Sequence, residues 1–178
     1  MAAPDGFGAA VAESVLARGG NAVDAAIATA FVLAVTYPEA GNLGGGGFMT
    51  IYHEGAPAFL DYRETAPLAA TRDMFLDPAG TVVPNASVIG HRAAGVPGTV
   101  AGLWLAHQRF GRLPWPGLVA PAIALARDGF VPSPHLANRL EEERGAFAGL
   151  TNFDKYFGGV QAGVVFHQPE LAATLERI

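Results

Sequence analysis

The residue whose type and setting best suit chemistry is Arg63, in the segment Asp61-Tyr-Arg-Glu-Thr-Ala-Pro67. It stands at the end of a predicted strand, shortly after a glycine-rich stretch. A planar guanidinium there can grip a carboxylate through two parallel hydrogen bonds, with more direction than a lysine provides. A salt bridge to Asp61 or Glu64 competes with that use, and residue types by themselves favour the salt bridge.

The glycine-rich stretch Gly41-Asn-Leu-Gly-Gly-Gly-Gly47 invites a phosphate-loop reading that its neighbours refuse. A Walker loop ends in Gly-Lys-Ser/Thr, whereas Gly47 is followed by Phe48-Met49. A dinucleotide loop follows a strand and opens a helix; this one follows a helix and opens a strand. Two uses remain open: tight backbone packing where no side chain fits, and approach of backbone N–H groups to a ligand.

Other reactive side chains form no constellation. His53, His91, His107, His135 and His167 are scattered without metal-ligand spacing. Ser14, Ser87 and Ser133 lack the Gly-x-Ser-x-Gly setting of a nucleophile elbow. Glu141-Glu142-Glu143 is expected to be a solvated helix face. With no cysteine, thiolate chemistry, thiolate zinc and disulfides are excluded. No cofactor and no metal are expected.

The elements that must position Arg63 follow from periodicity and punctuation. Residues 8–18 predict a helix with Val11, Val15 and Leu16 on one face, stopped by Gly19-Gly20. Asn21 suits an N-cap with Asp24 in the first turn, opening an all-apolar and therefore buried helix to about Val35, which Pro38 ends. Phe48–His53 and Ala58–Arg63 predict a hairpin joined at Glu54-Gly55-Ala56-Pro57. Helices are expected over Thr99–Phe110, Pro116–Arg127 and Leu136–Arg144, with 145–166 irregular and a last helix over Pro169–Ile178. In Thr99–Phe110, Val100, Leu103, Trp104 and His107 share helical spacing.

Composition limits the function classes. The chain has 178 residues, 51% hydrophobic and 15% charged, against about 25% charged in ordinary soluble domains. Net charge is −5, with no basic cluster, which excludes a nucleic-acid-binding face. The longest uncharged apolar run, Ala25–Val35, is about half of what a membrane span needs. The N-terminus lacks the basic start and apolar centre of an export signal.

Three segments then read together: Gly19-Gly-Asn-Ala-Val-Asp-Ala-Ala-Ile27, Gly44-Gly-Gly-Gly-Phe-Met49 and Tyr62-Arg-Glu-Thr-Ala-Pro67. In order and spacing they resemble the N-terminal part of gamma-glutamyltransferases (gamma-glutamyl transpeptidases, glutathione hydrolases). The likeness continues through 70–77, 95–102, 121–130 and 168–178, nearly the whole chain.

That resemblance implies an α+β fold of the N-terminal nucleophile hydrolase type, an αββα sandwich. Residues 1–178 would form a single partial domain, mostly helical with one β-hairpin, from the N-terminal portion of a large subunit. It further implies a precursor that cuts itself into large and small subunits and exposes a threonine. That hydroxyl would attack the gamma-glutamyl amide of glutathione, with its own α-amine as base. The residue matching the family's α-carboxylate-binding arginine is Arg63. No threonine here matches the nucleophile segment, so no catalytic residue is expected in this chain and no turnover from it alone. Expected partners are a gamma-glutamyl small molecule, the small subunit of the same precursor, and a second copy through exposed apolar faces. A periplasmic or secreted location follows by family analogy. A stand-alone non-catalytic remnant and part of a related N-terminal nucleophile acylase are the alternatives; the Arg63 context favours glutamyl substrates over the acylase.

Overall fold

The computed structural model describes residues 2–178 and shows helices around one long buried helix, with one hairpin beside them. Helix α1 is Gly6–Ala17 and α2 is Ala22–Thr36; strands β1, Phe48–His53, and β2, Ala56–Asp61, follow. Then come a 3-10 turn at His91–Ala93, α3 (Thr99–Phe110), α4 (Trp115–Asp128), α5 (Pro134–Phe147), α6 (Phe153–Phe157) and α7 (Pro169–Leu175). This is the mostly helical arrangement with one hairpin that the sequence led us to expect.

Helix α2 is central because it is apolar around its circumference. Ile27, Ala28, Phe31, Val32 and Val35 are fully buried, packed between α1 and α4 with α3 alongside. Trp115 at the head of α4 meets Phe31 edge to face, ring centroids 5.4 Å apart. Burying such side chains is worth about 1.5–3 kcal/mol each.

The start of α2 does more than cap a helix. Asn21 Oδ1 accepts from the Val23 and Asp24 N–H groups, and Asp24 accepts from Asn21 N–H in return, a capping box. Asp24 is also fully buried and accepts from the N–H groups of Arg112 (3.0 Å) and Leu113 (3.3 Å). Asn21 Nδ2 donates to the Phe110 carbonyl at 2.6 Å. Two side chains thereby fasten the α3–α4 loop to the head of α2, 89 residues away.

The strands pair antiparallel from Phe48↔Asp61 to His53↔Ala56. The connection is tighter than expected: Glu54 and Gly55 alone form it, with φ of 50° and 83°, the pattern of a two-residue turn matched to strand twist. Strand β2 therefore ends at Asp61, and Arg63 lies two residues beyond it. Ile51 and Leu60 face the helices, while Phe48 and Phe59 stack on the exposed side at 5.6 Å.

Other expectations also need correction. Helix α1 begins at Gly6 because Asp5 caps it, accepting from Gly8 N–H at 2.7 Å. Leu16 is exposed, so Val15 is buried on that face without it. Trp104 is likewise 43% exposed while Leu103 is buried. Ser133 caps α5, which runs longer at both ends than Leu136–Arg144. The short α6 interrupts the stretch expected to be irregular, and α7 stops at Leu175.

Candidate functional site

Arg63 sits on a backbone pinned from two sides. On one side Tyr62 N–H donates to the Gly47 carbonyl at 3.0 Å and Gly47 N–H donates back to Tyr62 at 3.4 Å, so the glycine-rich loop prolongs the hairpin ladder. On the other, Thr65 and Val96 exchange two hydrogen bonds, 3.2 and 2.8 Å, laying residues 95–98 along the same segment. Asp61 Oδ1 accepts the Arg63 N–H at 3.0 Å, a side-chain turn that closes the strand end.

The glycines make this closeness feasible. A β-carbon at Gly46 would come within 2.5 Å of the Tyr62 carbonyl oxygen and 2.8 Å of Glu64 N. One at Gly98 would collide with the same Tyr62 oxygen. Of the two uses left open for the glycine-rich stretch, backbone packing is realised here, against the segment that carries Arg63. Gly44 alone among its four consecutive glycines has open space around it.

The Arg63 side chain is 63% exposed. Its Nε donates to Glu64 Oε2 at 3.2 Å, and its guanidinium carbon lies 5.7 Å from the Phe48 ring centroid. Among the described residues neither Nη donates a hydrogen bond to any acceptor. The salt-bridge alternative is thus realised at one edge of the guanidinium with Glu64, while Asp61 is engaged by the backbone. Glu64 is held below the ordinary carboxylate range by its own backbone N–H, against the opposing pull of burial, with Arg63 and the Gly46 N–H adding to the lowering. Burial raises the Tyr62 phenol above its usual value.

The remaining candidates fall where their bland roles place them. His107 lies between Trp104 and Trp115 with Nε2 2.8 Å from the Leu113 carbonyl. His53 and His135 sit beside Glu54 and Glu39, and His167 beside the Arg127 carbonyl. Among the described residues no three His, Asp or Glu side chains cluster as a metal site. Ser14 and Ser87 are exposed, and Ser133 caps α5. Glu142 and Glu143 pair with Arg139, and Glu141 pairs with Arg144, so the three carboxylates spread around α5. No helix of the described residues is long and apolar enough to cross a membrane.

Two residues that sequence reasoning passed over belong to this site. Asn42 Oδ1 accepts from Gly45 N–H at 2.8 Å and from the Thr99 hydroxyl at 2.6 Å. Thr99 is buried. The available signal was an asparagine opening a glycine run, a residue that bonds its own backbone in turns.

Residues 8–178 match the family model described as Gamma-glutamyltranspeptidase. The glutathione hydrolase proenzyme of Pseudomonas aeruginosa is 59% identical over 178 residues, which are all of this chain and 32% of that protein. The glutathione hydrolase proenzyme of Escherichia coli is 49% identical over 142 residues, 79% of this chain and 24% of that protein. The chain thus spans a third or less of these relatives. The solved gamma-glutamyltranspeptidase from Pseudomonas nitroreducens, complexed with L-DON, superposes with a TM-score of 0.97 at 60% identity, over 100% of this chain and 53% of that one.

Proposed function

Because the chain belongs to the gamma-glutamyltranspeptidase family, we propose that it forms the carboxylate-holding part of an enzyme that transfers gamma-glutamyl groups. Glutathione and related amides are the donors; water, or an amino acid or peptide amine, is the acceptor. The observation that carries this is the Arg63 guanidinium, held on a pinned backbone with both Nη atoms unengaged by the described residues. Two such nitrogens match a carboxylate in a fork-to-fork contact.

The chemistry divides between this grip and a threonine outside these residues. The threonine hydroxyl attacks the gamma-carbonyl and passes its proton to the α-amine of the same residue. The C–N bond breaks, the leaving amine takes a proton, and an acyl ester remains. Water or an acceptor amine then attacks that ester and restores the hydroxyl. Arg63 takes no bond in these steps; by fixing the α-carboxylate it sets where the gamma-carbonyl lies, which is positioning. The hairpin and helices would form one side of the αββα sandwich, with the small subunit of the same precursor as partner.

A test compares residues 1–178 with the complete proenzyme that carries them, using a gamma-glutamyl anilide. Turnover by the matured proenzyme and none by residues 1–178 is expected. A matured proenzyme that leaves the anilide intact would refute the assignment.

A further inference from the structure

We infer that Asn42 and Thr99 are positioning residues for Arg63, a clasp that sets the guanidinium through the backbone on which it stands. This rests on the carboxylate-holding role proposed above. The path is short and continuous. Thr99 Oγ1 donates to Asn42 Oδ1 at 2.6 Å, and that oxygen also accepts from Gly45 N–H at 2.8 Å. The Gly45 carbonyl in turn accepts from the N–H groups of Gly98 (2.8 Å) and Thr99 (3.0 Å). The head of α3 and the glycine-rich loop are therefore tied twice, once through a side chain and once through the backbone.

The two tied strands of chain are the ones that press on Arg63. Gly46 and Gly98 both abut the Tyr62 carbonyl, and Gly46 also abuts Glu64 N. Loosening the clasp lets the two walls separate around Tyr62-Arg63-Glu64. Arg63 itself would keep its charge and its Glu64 partner. Only its placement would change, and bidentate recognition is sensitive to placement. Thr99 touches neither Arg63 nor Glu64 through any hydrogen bond, so its effect must pass through the loop.

The experiment uses the complete proenzyme and two probes, a gamma-glutamyl anilide and its α-carboxamide analogue. Their kcat/KM ratio reads the carboxylate grip and does not depend on the fraction of enzyme that is active. Thr99→Val keeps the shape but removes the hydroxyl; Thr99→Ser keeps the hydroxyl. The ratio should fall about fivefold in Thr99→Val, the size of one neutral hydrogen bond acting through geometry, and return in Thr99→Ser. The fall should appear in kcat/KM for the carboxylate substrate, with that for the α-carboxamide little changed. Equal losses for both probes, or an unchanged ratio, would overturn the clasp and leave Thr99 as packing alone. If Thr99→Val does not fold, Asn42→Ala breaks the same contact and is read by the same criteria. Arg63→Ala separates the two levels of inference. If it removes the discrimination while Thr99→Val does not, the clasp fails alone; if it leaves the discrimination intact, the grip and the clasp fail together.

Discussion

The carbonyl oxygen of Tyr62 occupies the space that a β-carbon on Gly98 would need. Gly98 has φ of −115° and ψ of −16°, a conformation open to any residue, so space and not backbone freedom is the reason for glycine. Gly98→Ala should therefore destabilise by about 1–3 kcal/mol through overpacking, read as a lower midpoint in denaturant. A neutral Gly98→Ala would mean that the wall behind Arg63 is loose.

Asp24 makes a second, independent demand. It is buried and accepts from three backbone N–H groups, those of Asn21, Arg112 and Leu113. Asp24→Ala leaves those donors without an acceptor and should cost about 3 kcal/mol or more. Thermal unfolding checks this: an Asp24→Ala protein with unchanged Tm would contradict the role of these hydrogen bonds in fastening the α3–α4 loop to α2.

Glu64 gives a pH dependence of definite sign. Its carboxyl titrates below the ordinary 4.5 in the folded chain, chiefly through its own backbone N–H. The stabilisation is thus complete above that ordinary value and is lost as pH falls through the lower folded value. The Tm difference between the native chain and Glu64→Gln should shrink from about pH 6 to about pH 3. A difference that stays constant over that span would show that the carboxylate is not held in this way.

The acidic run on α5 should matter little. Glu142 pairs with Arg139 at 2.7 Å, yet its side chain is 61% exposed. Glu142→Gln is expected to leave Tm within about 2 °C, as exposed ion pairs contribute little. A larger fall would mean that the run is part of a buried network.

Much of the frame that carries the site was legible in the residues. The Asn21 cap, the buried course of α2 and the limits of Thr99–Phe110 follow from punctuation and periodicity, which act locally. What escaped was long-range. Asp24 looks like any first-turn carboxylate until the α3–α4 loop is seen to arrive 88 residues later. A two-residue hairpin turn is hard to see in the sequence because Glu54 is not a residue usually found at positive φ, and Ala56 and Pro57 belong to β2. Nothing local distinguishes Leu16 from Val15, and only the direction from which α2 approaches buries one and not the other.

Residue type makes Arg63 a candidate and the family resemblance gives it the carboxylate role, but its environment is not foreseeable from either. The two walls belong to residues 41–47 and 95–98, and their meeting around Tyr62 is a property of the folded chain.

In the proposed enzyme Arg63 holds the substrate α-carboxylate, and the KM of the Arg63→Ala proenzyme for a gamma-glutamyl anilide reads that hold. Arg63 is 63% exposed in these residues; with the small subunit covering it in the proenzyme, losing the then-buried ion pair would cost about 2–5 kcal/mol, so KM should rise at least about thirtyfold. A KM within about twofold of the native enzyme, where an ion pair of that size was removed, would mean that Arg63 does not grip the carboxylate.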